Sequence, residues 1–133
     1  MNKLTLNPAL SPLEAAGKLT EFWSPQVIAE MDDHYVKVAR LEGTLTWHSH
    51  EGEDELFLIL KGHLTIEYED GLVQLGPGDL HVVPKGVRHN PVADEECLVM
   101  LIEKKSTLHT GDVMTGKNRG VDEQLKGYSD ESN

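Results

Sequence analysis

The chain has 133 residues, 38% of them hydrophobic, which suits one domain with a core of ordinary size and no need of disulfides. A formal charge of −11 would repel phosphate backbones and anionic lipid, and the 12 Lys and Arg are scattered along the chain, so neither nucleic-acid binding nor membrane attachment is expected. No apolar run approaches the roughly 20 residues that cross a bilayer, and no basic segment leads into an apolar run of signal-peptide length, which points to a soluble cytoplasmic protein.

In chain order, Ser11-Pro-Leu-Glu14 reads as an N-cap, a proline at the first helical position and an acidic first turn, and predicts a short helix over about residues 12 to 19. From Pro25 the apolar pattern has a period of two, broken by Gly, Pro and Asp at the spacing of an antiparallel β-protein. Strands are expected at Val27 to Met31, Tyr35 to Leu41, Thr44 to His50, Glu55 to Lys61, Leu64 to Glu69, Leu72 to Leu75, His81 to Val83 and Glu96 to Glu103. Asp32-Asp33, Glu69-Asp-Gly71 and Gly76-Pro-Gly78 supply the turns between them. The single Cys97 lies in the apolar run Cys97-Leu-Val-Met-Leu-Ile102 and reads as a buried, inert thiol. After Lys105 the strand pattern stops. The chain therefore divides into an N-terminal arm with a helix (1–24), a barrel (25–105) and a polar C-terminal arm (106–133), with a weak helical turn near Val121 to Leu125.

His48 and His50 stand two apart on an expected strand, so both rings leave the same face. Glu55 opens the next strand after Glu51-Gly-Glu-Asp54, and a hairpin there returns its carboxylate to the two imidazoles. His89, after the Pro84-Lys-Gly86 turn, would enter from another strand. Three imidazoles and one carboxylate suit divalent Zn, Fe, Ni, Co or Mn, and leave open positions on a five- or six-coordinate ion. The loop carboxylates Glu51, Glu53 and Asp54 are alternatives to Glu55. His34, His63 and His109 read as solvated, His81 is undecided, and Asn90 and Arg88 read as turn residues beside His89.

The run Gly43-Thr-Leu-Thr-Trp-His48-Ser-His50, Glu55 and Gly62 resembles the first motif of the cupin superfamily, and Gly78-Asp-Leu-His-Val-Val-Pro84-Lys-Gly86-Val-Arg-His89 resembles its second. The 15 residues between Gly62 and Gly78 are those of a compact cupin with one short hairpin between motifs. Two departures stand out: Gly43 is one residue closer to His48 than usual, and Ala93 occupies the place of a frequent asparagine. The resemblance covers roughly residues 34 to 103. It implies an all-β jelly-roll barrel with His48, His50, Glu55 and His89 as ligands of one divalent ion, Fe, Ni, Mn or Zn.

The resemblance also implies a metal-dependent protein for a small oxygenated metabolite. With Fe or Ni the reaction class would be that of cupin dioxygenases, and with Zn or Mn that of cupin sugar isomerases, with Glu55 a candidate base. A binding or storage protein without turnover is the alternative. If Glu55 faces the lumen, so do Phe57 and Ile59, and Leu56, Leu58 and Leu60 face out, where something must cover them; a homodimer is expected. Thr44 and Thr46, sharing the parity of His48, are expected in the lumen.

Overall fold

The computed structural model describes residues 6–107 and 124–125. One short helix, α1 (Pro12–Gly17), precedes seven strands: β1 (Gln26–Met31), β2 (His34–Thr44), β3 (Glu55–Lys61), β4 (Leu64–Tyr68), β5 (Gly71–Leu75), β6 (Leu80–Val83) and β7 (His89–Lys104). All pairings between these strands are antiparallel. The strands run in the order β1-β2-β7-β3-β6, with β4 also on β7 and β5 on β4. Long β7 is the hinge of this arrangement: its first residues, His89 to Val92, pair with β4, and its last, Leu98 to Glu103, lie between β2 and β3. Bending one strand across two sheets is what closes the barrel around its lumen.

Alternation sets what fills that lumen. Val83, Glu55, Glu103 and Tyr35 form one cross-strand row, and His81, Phe57, Leu101 and Lys37 form the next. The core proper is apolar, built from residues such as Phe57, Ile59, Leu64, Ile66, Val99 and Leu101. Outside, α1 begins at Ser11, whose Oγ accepts the Glu14 N–H at 3.1 Å, and buries Ala16 against Val38 and Leu98. Leu60 packs against the same cluster, so the helix covers one end of the outward leucine row.

Two expectations about strands need correction. Thr44 to His50 is not a strand: only Thr44 belongs to β2, and beyond it the chain touches β7 through Leu45 N–H to Pro91 O and a single bridge between His48 and His89. Pro91 has no N–H to return, which interrupts the ladder there. Moreover, His48 lies four residues beyond Thr44, while its partner His89 lies only three before Val92, the partner of Thr44. The extra residue is a bulge that switches parity. Leu45 is therefore buried in the core, Thr44 is exposed and Thr46 only half-buried, so these threonines do not line the lumen with His48. Conversely, β7 begins at His89 rather than Glu96, because its polar first half Asn90 to Glu96 hides a strand that pairs on both edges. Most of the expected C-terminal arm, including all of the helical turn except Gln124 and Leu125, lies outside the described residues.

Candidate metal centre

His48 and His89 face each other across their bridge, with His48 N–H to His89 O at 3.0 Å and His89 N–H to His48 O at 2.9 Å. Directly opposed residues project to the same face, and the ring centroids stand 4.4 Å apart. His50 follows two residues later, edge-on to His48 at 5.0 Å, and its carbonyl accepts the Gly86 N–H at 2.8 Å. The turn that precedes His89 thus also fixes His50. Asp54 Oδ1 accepts the Lys85 N–H at 2.8 Å, which anchors the loop leading into β3 to that same turn. Glu55 opens β3 with Oε1 3.5 Å from His50 Nε2 and 3.7 Å from His89 Nε2.

These four side chains are buried, and one ligand atom from each lies within 4.8 Å of the others. Donors about 2.1 Å from a common ion stand roughly 3 to 4 Å apart, so the Glu55 separations fit shared coordination better than direct hydrogen bonding. The imidazoles are set up for it. His48 Nδ1 donates to Thr46 O at 2.8 Å and His89 Nδ1 to Val87 O at 3.0 Å, which assigns the remaining lone pair to Nε2 in each ring. His89 Nε2 is buried without a hydrogen-bond partner among the described residues, the kind of orphaned acceptor that a metal ion satisfies.

Electrostatics agree. Burial, assisted by the charges of His89 and His50 and opposed by the Thr46 carbonyl and Glu55, lowers the His48 pKa to about 4, so the ring is neutral near pH 7. Burial alone would raise the Glu55 carboxyl; the polar groups of Glu103, His50 and His89 around it outweigh that and hold Glu55 well below the usual carboxylate range. Glu103 is driven the other way, well above that range, by burial and by the charge of Glu55, with only partial relief from Lys37.

Of the other candidates, Asp54 is engaged by the turn, Glu51 Oε1 accepts Ser49 Oγ at 2.9 Å, and Arg88 reaches Glu69 at the surface. Asn90 is buried and ties Thr44 to Glu67, a cross-strand brace and not a turn contact. His34 pairs with Asp33, and His109 lies outside the described residues. His81 resolves as a neighbour of the centre: its Nε2 is 2.7 Å from Tyr68 Oη, and the Tyr68 ring lies 6.5 Å from that of His89. On another flank, Trp23, Leu45, Phe57 and Leu101 line with His48 and Glu55 a small, partly open apolar pocket of about 30 Å3.

Sequence reading missed Tyr68, Lys37 and Glu103. The signal for the last two was present, since Lys37 shares the parity of Tyr35 and Ala39, and Glu103 that of Val99 and Leu101, all inward.

The cupin domain family matches residues 34–103. A cupin-2 domain containing protein from Shewanella frigidimarina, of known crystal structure, is 40% identical, with a TM-score of 0.70 over 72% of this chain and 94% of that one. The uncharacterized protein YdbB of Bacillus subtilis is 32% identical over 94 residues, which are 70% of this chain and 83% of YdbB. KdgF from a Halomonas species is 26% identical, with a TM-score of 0.55 over 60% of this chain and 77% of KdgF. With the barrel, the two motifs and the buried cluster in agreement, the chain belongs to the cupin domain family.

Proposed function

We propose that this cupin is a metal-dependent enzyme acting on a small oxygenated metabolite, with one divalent ion held by His48, His50, Glu55 and His89. The observation behind this reading is the convergence of four buried donors, with Nε2 lone pairs assigned on His48 and His89 and a carboxylate that stays ionised. Bound there, the ion would supply Lewis acidity to a carbonyl or enolate oxygen. The surroundings handle the rest of the ligand. Tyr68 and His81 offer polar atoms at one flank, and the small pocket beside Trp23 offers an apolar wall to a substituent of the ligand. Glu55, kept weakly basic, suits ligand duty better than proton abstraction; its catalytic part is tested by Glu55→Gln with the metal retained. A dioxygenase or a sugar isomerase fits these walls, an isomerase of phosphorylated sugars less well, because Arg88 is already engaged by Glu69 at the surface.

Elemental analysis of protein purified without chelator, with His50→Ala alongside, tests the site. About one equivalent of Fe, Ni, Mn or Zn that vanishes in the variant supports it, and its identity selects oxygen uptake or carbonyl isomerisation as the assay. No metal in either, and none taken up on addition, would sink it. Metal without turnover on either panel would favour a storage or binding role.

We also infer a homodimer. Two rows of apolar side chains cross the outside of the sheet in register, Val82-Leu56-Ile102-Val36 and Leu80-Leu58-Met100-Val38, and α1 covers only the Val38 end. Leu80 and Val82 are 59% and 41% exposed at the other end. A second copy presenting the same rows is self-complementary. Light scattering should give twice the chain mass, and Leu80→Glu with Val82→Glu should give a folded monomer; a wild-type monomer would refute the inference.

A further inference from the structure

The segment between α1 and β1 touches β2 beyond the point where β1 begins. Phe22 bridges to Arg40, the Trp23 N–H donates to Arg40 O at 2.9 Å, and the indole Nε1–H donates to Glu42 O at 2.8 Å. These contacts hold Trp23 at φ +56°, in the left-handed region. A bulky side chain rarely adopts that backbone, and glycine would adopt it at less cost. Phe22 stays 41% exposed, whereas Trp23 is 6% exposed and joins the core cluster that holds Ala39, Leu41 and Phe57.

Strain of this kind persists where the surrounding structure imposes it, and it gathers at ligand sites. The indole faces such a place. Trp23 lines the small apolar pocket that His48 and Glu55, two of the four clustered donors, also line. Among the described residues around that pocket no other side chain is charged, and the indole N–H is already engaged by Glu42. A ligand hydroxyl turned to this side would lose its water without gaining a partner, so hydroxyls belong on the Tyr68–His81 flank and an aliphatic group belongs here. Simple core filling would not need the largest side chain of the pocket to come from outside the strands on a strained backbone.

We propose that Trp23 is a specificity-determining residue, the wall that limits the length of the aliphatic end carried by an oxygenated ligand of the metal ion. This rests on the metal-site reading above. It narrows the ligand to a compound with an oxygen-bearing head and a short aliphatic end, such as a small carboxylate or oxo acid. Each methylene that leaves water against the pocket contributes about fourfold in affinity, until the chain meets the indole.

The test is binding of the unbranched monocarboxylates from acetate to octanoate to the Co(II)-loaded protein, followed by the visible bands of the ion, in wild type, Trp23→Gly and Phe22→Ala. In the wild type, affinity should rise by about fourfold per methylene over the first members and then fall. In Trp23→Gly the backbone is relaxed and the indole is gone, so the maximum should move to a longer acid, while Phe22→Ala should keep the wild-type maximum. Loss of the indole can cost the fold; Trp23→Leu, which keeps an apolar side chain there, should then show the same displacement to a smaller extent. A maximum at the same acid in wild type and the Trp23 variants, or one that Phe22→Ala moves as far, would overturn the role of Trp23 while leaving the metal site intact. Co(II) bands that none of the acids changes would do the same. No Co(II) uptake by the wild type would overturn the metal-site reading and this role together.

Discussion

His48 shows how burial would ready the proposed ligand set before any ion arrives. Its folded-state pKa of about 4 lies below the ordinary 6.5, so between those values the unfolded chain binds a proton that the folded chain refuses. The stabilisation is therefore complete above pH 6.5 and is lost as pH falls toward 4, by up to roughly 3 kcal/mol. Glu103, raised by burial and by Glu55, works in the opposite sense, favouring the fold as pH drops, so the total profile is a compromise. The difference between wild type and His48→Asn isolates the histidine. Urea unfolding of metal-free protein from pH 7.5 to 4.5 should show that difference shrinking steadily as the pH is lowered; a constant difference would contradict the buried neutral ring. Cys97 gives a simpler case. Fully buried, its thiol is pushed up to about 12, so a thiol reagent at pH 8 should label it only in urea.

Among the elements, the β3–β4 corner carries the tightest backbone constraint. Gly62 has φ +86°, and a Cβ there would stand 2.6 Å from the Glu96 carbonyl oxygen. Gly43 has nearly the same backbone, φ +84°, with nothing within 4 Å of a built Cβ. Gly43→Ala should therefore cost only the left-handed backbone penalty of ~1 kcal/mol, and Gly62→Ala at least twice that, because strand β7 must also retreat. Equal urea midpoints for the two variants would remove the steric term. The same pair of positions shows what was legible in the sequence. Gly62 was readable as a motif turn at a fixed distance from Glu55, and β3 with its Glu55, Phe57, Ile59 parity emerged as expected. The path from Thr44 to His48 did not, since a one-residue bulge leaves no compositional trace and reverses the face of every residue beyond it. The histidine cluster emerged as expected because His48 and His50 keep their own spacing after the bulge. Glu103 and Lys37 were passed over for a different reason: alternation already put both on the inward face, but charged residues in strands are usually solvated, and only the cross-strand register brings the two together.

At the scale of the whole molecule, the lumen is a region of stored electrostatic cost that one cation would relieve. Two neighbouring buried carboxyls, one buried ammonium and three desolvated imidazoles occupy the barrel beside an apolar core. A divalent ion that binds the folded barrel and not the open chain stabilises by mass action, about 2.7 kcal/mol at a free concentration one hundred times its dissociation constant. For a domain of this size that corresponds to a rise in Tm of about 10 °C. Chelator-stripped protein should melt correspondingly lower and recover on addition of Zn(II) or Co(II), and His50→Ala should show no such recovery. The four clustered donors come from the His48–His50 loop, the start of β3 five residues on, and the start of β7, which is distant in sequence and brought beside them by the fold. An ion there joins the strand ends that the interrupted Thr44–His48 ladder leaves least secured. Hydrogen exchange should therefore slow most at the amides of His48, His89 and Gly86, whose backbone bonds cross that junction, and change little in the β1–β2 hairpin. Protection spread evenly over both regions would mean that the ion stabilises the barrel only globally.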